Sequence, residues 1–109
     1  MKQRATFYRK DPKDRQEMIL QAAINVAKRE GLSKLKRETV AQEANVSCGL
    51  VNRYFNTMPQ LHRAVIRAAI HAEFPILEIV AEALVQRDPQ AMKAPQHIKD
   101  SALKYALTR

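Results

Sequence analysis

Between Arg37 and Phe55 the chain reads RETVAQEANVSCGLVNRYF, and near its end stand Asn52 and Arg53. Arg can pair bidentately with guanine and Asn with adenine, and either can hold a phosphate oxygen. Such side chains read a duplex only if a short helix carries them outward, and the same stretch has the marks of one. Ser47 is placed to cap a helix that starts beside it. Asn45, four residues after Ala41, tolerates the left-handed backbone that a tight turn between two helices needs. Ala41 is small enough for a second helix to cross it. Val40, Ala44, Val46 and Val51 fall where two such helices would face each other, which leaves Cys48, Gly49, Asn52 and Arg53 outward. This is the pattern of a helix-turn-helix. An ordinary helical hairpin in a small bundle has the same spacing, so the pattern stands beside that reading.

Other chemistry has little footing. His62, His71 and His97 lack the i, i+4 spacing of a metal pair, and Cys48 has no Cys or His at finger spacing. No glycine-rich phosphate loop, nucleophile elbow or paired carboxylates occur, so an enzyme is not expected, nor a cofactor or metal. Cys48 is the single cysteine, which excludes an internal disulfide framework and fits a reducing cytoplasm. Facing a polyanion beside an Arg, it is a candidate redox switch.

The charge agrees with a nucleic-acid partner. The net charge is +8; residues 1–67 hold 14 Lys and Arg against 6 Asp and Glu, whereas residues 68–109 hold 5 of each. Cations gathered in one region neutralise phosphates and release their counterions, although membrane surfaces and acidic proteins attract the same charge.

The elements that must position these residues are helical. The chain has 109 residues, 46% of them hydrophobic, with two glycines and no alternating strand pattern. That suits one all-α domain. Residues 1–10 (MKQRATFYRK) form a basic arm, either solvated or settled on a phosphate backbone or minor groove. A first helix starts near Asp11-Pro12, carries Ile19, Leu20, Ala23, Ile24 and Ala27 inward, and closes at Gly31 after Lys28 and Arg29. Helices over Arg37–Ala44 and Ser47–Phe55 follow; Ser33 could begin the former a turn earlier. Thr57 to Gln60 is a capping box with Pro59 in the first turn. It opens a helix with Leu61, Val65, Ile66, Ala69 and Ile70 that should stop near Phe74-Pro75. Ile76, Leu77, Ile79, Val80, Ala83 and Leu84 make a further apolar stripe, ended by Asp88-Pro89, and a weaker last helix runs from about Gln96 to Leu107. No run is apolar enough to span a bilayer.

On these residues the chain resembles the TetR family of bacterial transcriptional repressors. The similarity covers about Arg15 to Ala68. It lies in Ala22-Ala23, in Gly31 and the fifteen-residue step from it to Val46-Ser47, and in Val40-Ala41, Gly49, Tyr54-Phe55 and Leu61. The resemblance implies that Ser47 to Tyr54 is the recognition helix and that the helix starting near Met58 braces it against a dimerising body. It departs from the family in four places. Lys36 stands where a Ser or Thr commonly opens the second helix, Asn45 for the turn glycine, Asn52 for a common aromatic, and Met58 for the Lys after the Tyr-Phe pair.

Taken together, the expected architecture is all-α, with a basic arm (1–10), a helix-turn-helix DNA-binding domain (11–67) and two or three short helices for dimerisation (68–109). The expected DNA-binding residues are Lys36, Arg37, Ser47, Cys48, Gly49, Leu50, Asn52, Arg53 and Tyr54. The expected homodimer contacts are Ile76, Leu77, Val80 and Leu84, a stripe that could instead pack on the chain's own core. With 42 residues after Arg67, an effector pocket of several hundred Å³ is not expected. The expected function is a cytoplasmic homodimeric repressor on a palindromic operator of double-stranded DNA, fitting a plasmid or phage regulator. Its rivals are a partition or architectural DNA-binding protein, and an adaptor for an acidic protein partner.

Overall fold

The computed structural model describes residues 12–108; the basic arm and Asp11 lie outside the described residues. Among the described residues seven α-helices follow in order: α1 Pro12–Glu30, α2 Arg37–Ala44, α3 Cys48–Tyr54, α4 Met58–His71, α5 Leu77–Val85, α6 Pro89–Met92 and α7 Gln96–Thr108. Among the described residues there is no strand, and no helix is long and apolar enough to cross a membrane.

The first helix buries Ile19, Ala22, Ala23, Ile24, Val26 and Ala27, a stripe at helical spacing. The Ala22-Ala23 pair lets neighbouring backbones come close, and α1 packs against both α2 and α4. Gly31 ends it at φ +96, a conformation that a side chain would resist. Ser33 does not start α2 early. It lies in a one-turn 3-10 helix, Leu32–Lys34, whose Leu32 is fully buried.

Local chemistry sets the ends of α4 and α6. The Thr57 Oγ1 accepts from Gln60 N at 3.3 Å while Thr57 N donates to Gln60 Oε1 at 3.3 Å, so two donors without helical partners are satisfied reciprocally. In the Asp88-Pro89 pair, Asp88 Oδ1 accepts from Gln90 N at 2.9 Å and opens α6, a short helix absent from the sequence-based expectation.

The C-terminal stripe corrects the expected dimer surface. Val80 is fully buried in the chain's own core together with Ile79 and Ala83, so it has no surface to offer a partner. Ile76, Leu77 and Leu84 are half-buried and packed on the same core. The cause is α7, which lies along α5 and brings Ile98 and Ala102 into the core. The large apolar side chains that do face solvent include Val85 on α5 and Leu103 and Leu107 on α7.

Candidate nucleic-acid interface

The corner between α2 and α3 rests on one residue. Asn45 adopts φ 59, ψ 47, the left-handed conformation. Its N–H donates to Gln42 O at 3.2 Å, and Val46 N donates to Ala41 O at 3.0 Å. These two bonds are the Schellman pair that ends a helix and turns the chain. Ala41, buried at the crossing, admits the approach of the second helix.

Ser47 then opens α3. Its backbone is extended and its Oγ accepts from Leu50 N at 3.1 Å. Val51 is fully buried and fixes which face of α3 turns inward, while Leu50 and Tyr54 are half-buried against the same core. Cys48, Gly49, Asn52 and Arg53 consequently face solvent. A Cβ built on Gly49 would meet Ser47 Oγ at 3.8 Å, an ordinary contact. The fold therefore does not demand glycine there, although glycine in a helix costs about 0.5–1 kcal/mol. What it provides is a helix surface without a side chain, open to close approach from outside.

Lys36 and Arg37 stand at the N-terminal end of α2. Lys36 N donates to Thr39 Oγ1 at 3.1 Å, which pins the backbone while the ammonium stays exposed. Arg37 is half-buried, and its Nε is enclosed without a hydrogen-bond partner. Two further side chains tie the surrounding elements together. Arg29 Nη2 on α1 donates to Glu43 Oε1 on α2 at 2.9 Å. That hydrogen bond, and then the charge of Glu43, raises the Arg29 pKa and holds the guanidinium still more firmly protonated. On α5, Glu82 Oε1 accepts from Leu32 N at 2.7 Å. Fourteen and fifty residues separate these pairs, and neither leaves a local trace in the sequence.

The expected DNA-binding residues thus lie on two adjoining helices, with Leu50 and Tyr54 shared between the core and the surface. Arg37 is less free than its sequence position suggests. A cleft of about 410 Å³ opens between α4 and α6, lined by Met58, Pro59, His62, Arg63, Asp88, Pro89 and Gln90, within the usual range for small-molecule sites.

Comparison with known proteins matches this arrangement. Residues 19–65 match the family model described as bacterial regulatory proteins, tetR family. The fold is similar to that in the crystal structure of the multidrug binding protein EbrR complexed with imidazole, with 27% sequence identity and a TM-score of 0.52. The match covers 91% of this chain and 59% of that one, so the chain spans under two thirds of the length of the structure it resembles. No curated protein matches. The matched segment contains the whole α2–corner–α3 unit, so it is in this part of the chain that the similarity to the tetR family of bacterial regulatory proteins lies.

Proposed function

We propose that the protein is a sequence-specific repressor that binds a palindromic operator as a homodimer, acting by occupancy rather than catalysis. One observation carries this reading. The corner at Asn45 turns α3 so that Val51 enters the core while Cys48, Gly49, Asn52 and Arg53 stay in solvent. A helix of this size fits the major groove, where Asn52 and Arg53 have the donors and acceptors to read adenine and guanine. Lys36 and Arg37 at the start of α2, and Ser47 at the start of α3, hold phosphates and fix the register. Cys48 and Gly49 form the close-approach surface, and the exposed parts of Leu50 and Tyr54 flank it.

The dimer forms through the C-terminal helices, where Val85, Leu103 and Leu107 remain exposed. Two-fold symmetry then presents two α3 helices to half-sites about 34 Å apart or somewhat more. The matched solved protein is by its description a multidrug binding protein, which lends no support to the expectation that an effector is lacking.

Selection of bound duplexes from a random library, followed by footprinting across the DNA upstream of the gene, tests the reading. The expected outcome is one inverted repeat, protected as a single footprint that overlaps a promoter. An array of direct repeats would replace the repressor by a partition or architectural factor, and no enrichment at all would replace it by an adaptor for an acidic protein.

A further inference from the structure

The 3-10 turn Leu32–Lys34 begins at Gly31, which has no side chain with which to cap it. The cap comes from α5 instead. Glu82 Oε1 accepts from Leu32 N at 2.7 Å, and Gln86 Nε2 donates to Glu82 Oε2 at 3.5 Å. Gly31 is shaped for this approach: its φ is +96, and a Cβ there would stand 3.4 Å from the Glu82 carboxylate. An ionised carboxylate on a backbone N–H at the start of a helical turn is among the stronger protein hydrogen bonds. The same end of α1 carries Arg29, which holds Glu43 on α2 at 2.9 Å. Glu43 lies two residues before Asn45, the pivot of the corner. Two polar contacts, joined by the short backbone stretch from Arg29 to Leu32, thus tie α5 and α2 to the end of α1.

We infer that Glu82 is a positioning residue for DNA binding. Its carboxylate fixes the angle at which the helix-turn-helix unit sits on the C-terminal helices, and so sets the distance between the two α3 helices of a dimer. The inference rests on the proposed dimeric repressor. A lost strut leaves each unit able to read its own half-site but lets the pair splay. The consequence is a loss of affinity confined to duplexes that carry both half-sites, together with a looser preference for their spacing.

The test uses the full chain and the duplex recovered by selection, presented as one half-site, as both half-sites, and as both with one or two base pairs inserted or removed between them. Wild-type protein is expected to bind two half-sites far more tightly than one. If it binds them equally, the dimeric reading falls, and the inference falls with it before any variant is made. With that premise met, Glu82→Ala is expected to keep wild-type affinity for the single half-site and to lose about tenfold on the pair at native spacing, the weight of one charge-assisted hydrogen bond. It should also discriminate less between spacings. Glu82→Gln, which retains an acceptor of the same reach, should restore most of both. Equal losses on one and two half-sites, tracking a fall in melting temperature, would make Glu82 merely structural and overturn the inference. So would an unchanged spacing profile. If Glu82→Ala does not fold, Glu82→Asp, one methylene shorter, is compared with Glu82→Gln by the same measurements and the same criteria.

Discussion

Asn45 offers the sharpest test of how the chain presents α3. Its backbone is left-handed, at φ 59 and ψ 47, and its side chain is exposed, so substitutions there act on the backbone rather than on packing. For an L-residue with a Cβ the left-handed region costs roughly 1–2 kcal/mol, and Asn relieves part of this by local hydrogen bonding. A β-branched side chain is the worst occupant, because its second γ atom crowds the carbonyl that the turn brings close. Glycine escapes the steric cost but gives up more conformational freedom on folding, and the two effects nearly cancel. The expected order of stability is therefore Asn45→Gly equal to wild type within about 0.5 kcal/mol, Asn45→Ala lower by about 1 kcal/mol, and Asn45→Val lower by about 2 kcal/mol.

For a domain of this size, 1 kcal/mol moves the melting temperature by roughly 4–8 °C. Thermal denaturation followed by circular dichroism resolves the series easily. Affinity for the selected operator should fall in the same order once fraction folded is accounted for, because a corner relaxed away from the left-handed turn no longer aims Asn52 and Arg53 along one groove. A Val variant as stable as wild type would mean that the backbone at Asn45 is not left-handed in solution. A Val variant that is destabilised yet binds at full affinity when folded would separate the corner from recognition.

Three further outcomes are expected. Asn52→Ala or Arg53→Ala should each cost about 1–3 kcal/mol of operator affinity while random duplex is bound as before, in titrations at one fixed salt concentration; an equal loss on both duplexes would reassign the residue to phosphate. Lys36→Ala removes one phosphate contact from each protomer and should lower the slope of log affinity against log salt by about 1.8 on the full operator, and an unchanged slope removes Lys36 from the phosphate contacts. Leu107 is 85% exposed, so Leu107→Asp should leave the folding free energy of the single protomer within about 0.5 kcal/mol of wild type, as surface changes usually do. Light scattering should then report monomers in place of dimers, and a dimer that persists would move the interface off α7.

How much of this was legible in the sequence follows the range of the interaction responsible. The Ser47 cap, the Thr57–Gln60 box and the left-handed Asn45 are each decided within a few residues, and each stands where its residue type suggested. Val51 was legible because α2 and α3 together have one apolar face. The stripe on α5 was not. Apart from Glu78 and Glu82 every residue of α5 is apolar, so its apolar groups cover most of the helix and single out no one face. Periodicity could not say whether Val80 met a partner or the chain itself; the packing of α7 decided it. The partners of Arg29 and Glu82 lay further still from any local signal.

The same ordering explains what the recognition unit owes to the rest of the chain. Local rules make the corner, yet α2 and α3 have eight and seven residues, too few to be stable as isolated helices. What holds them is non-local: Val40, Val51 and Phe55 packed into the common core, and the Arg29–Glu43 ion pair behind them. Glycine at position 49 makes the point in reverse. It weakens an already short helix where the fold leaves ordinary room for a side chain. Such a residue is understandable where a surface outside the chain must come close to the helix backbone, as the wall of a DNA groove does.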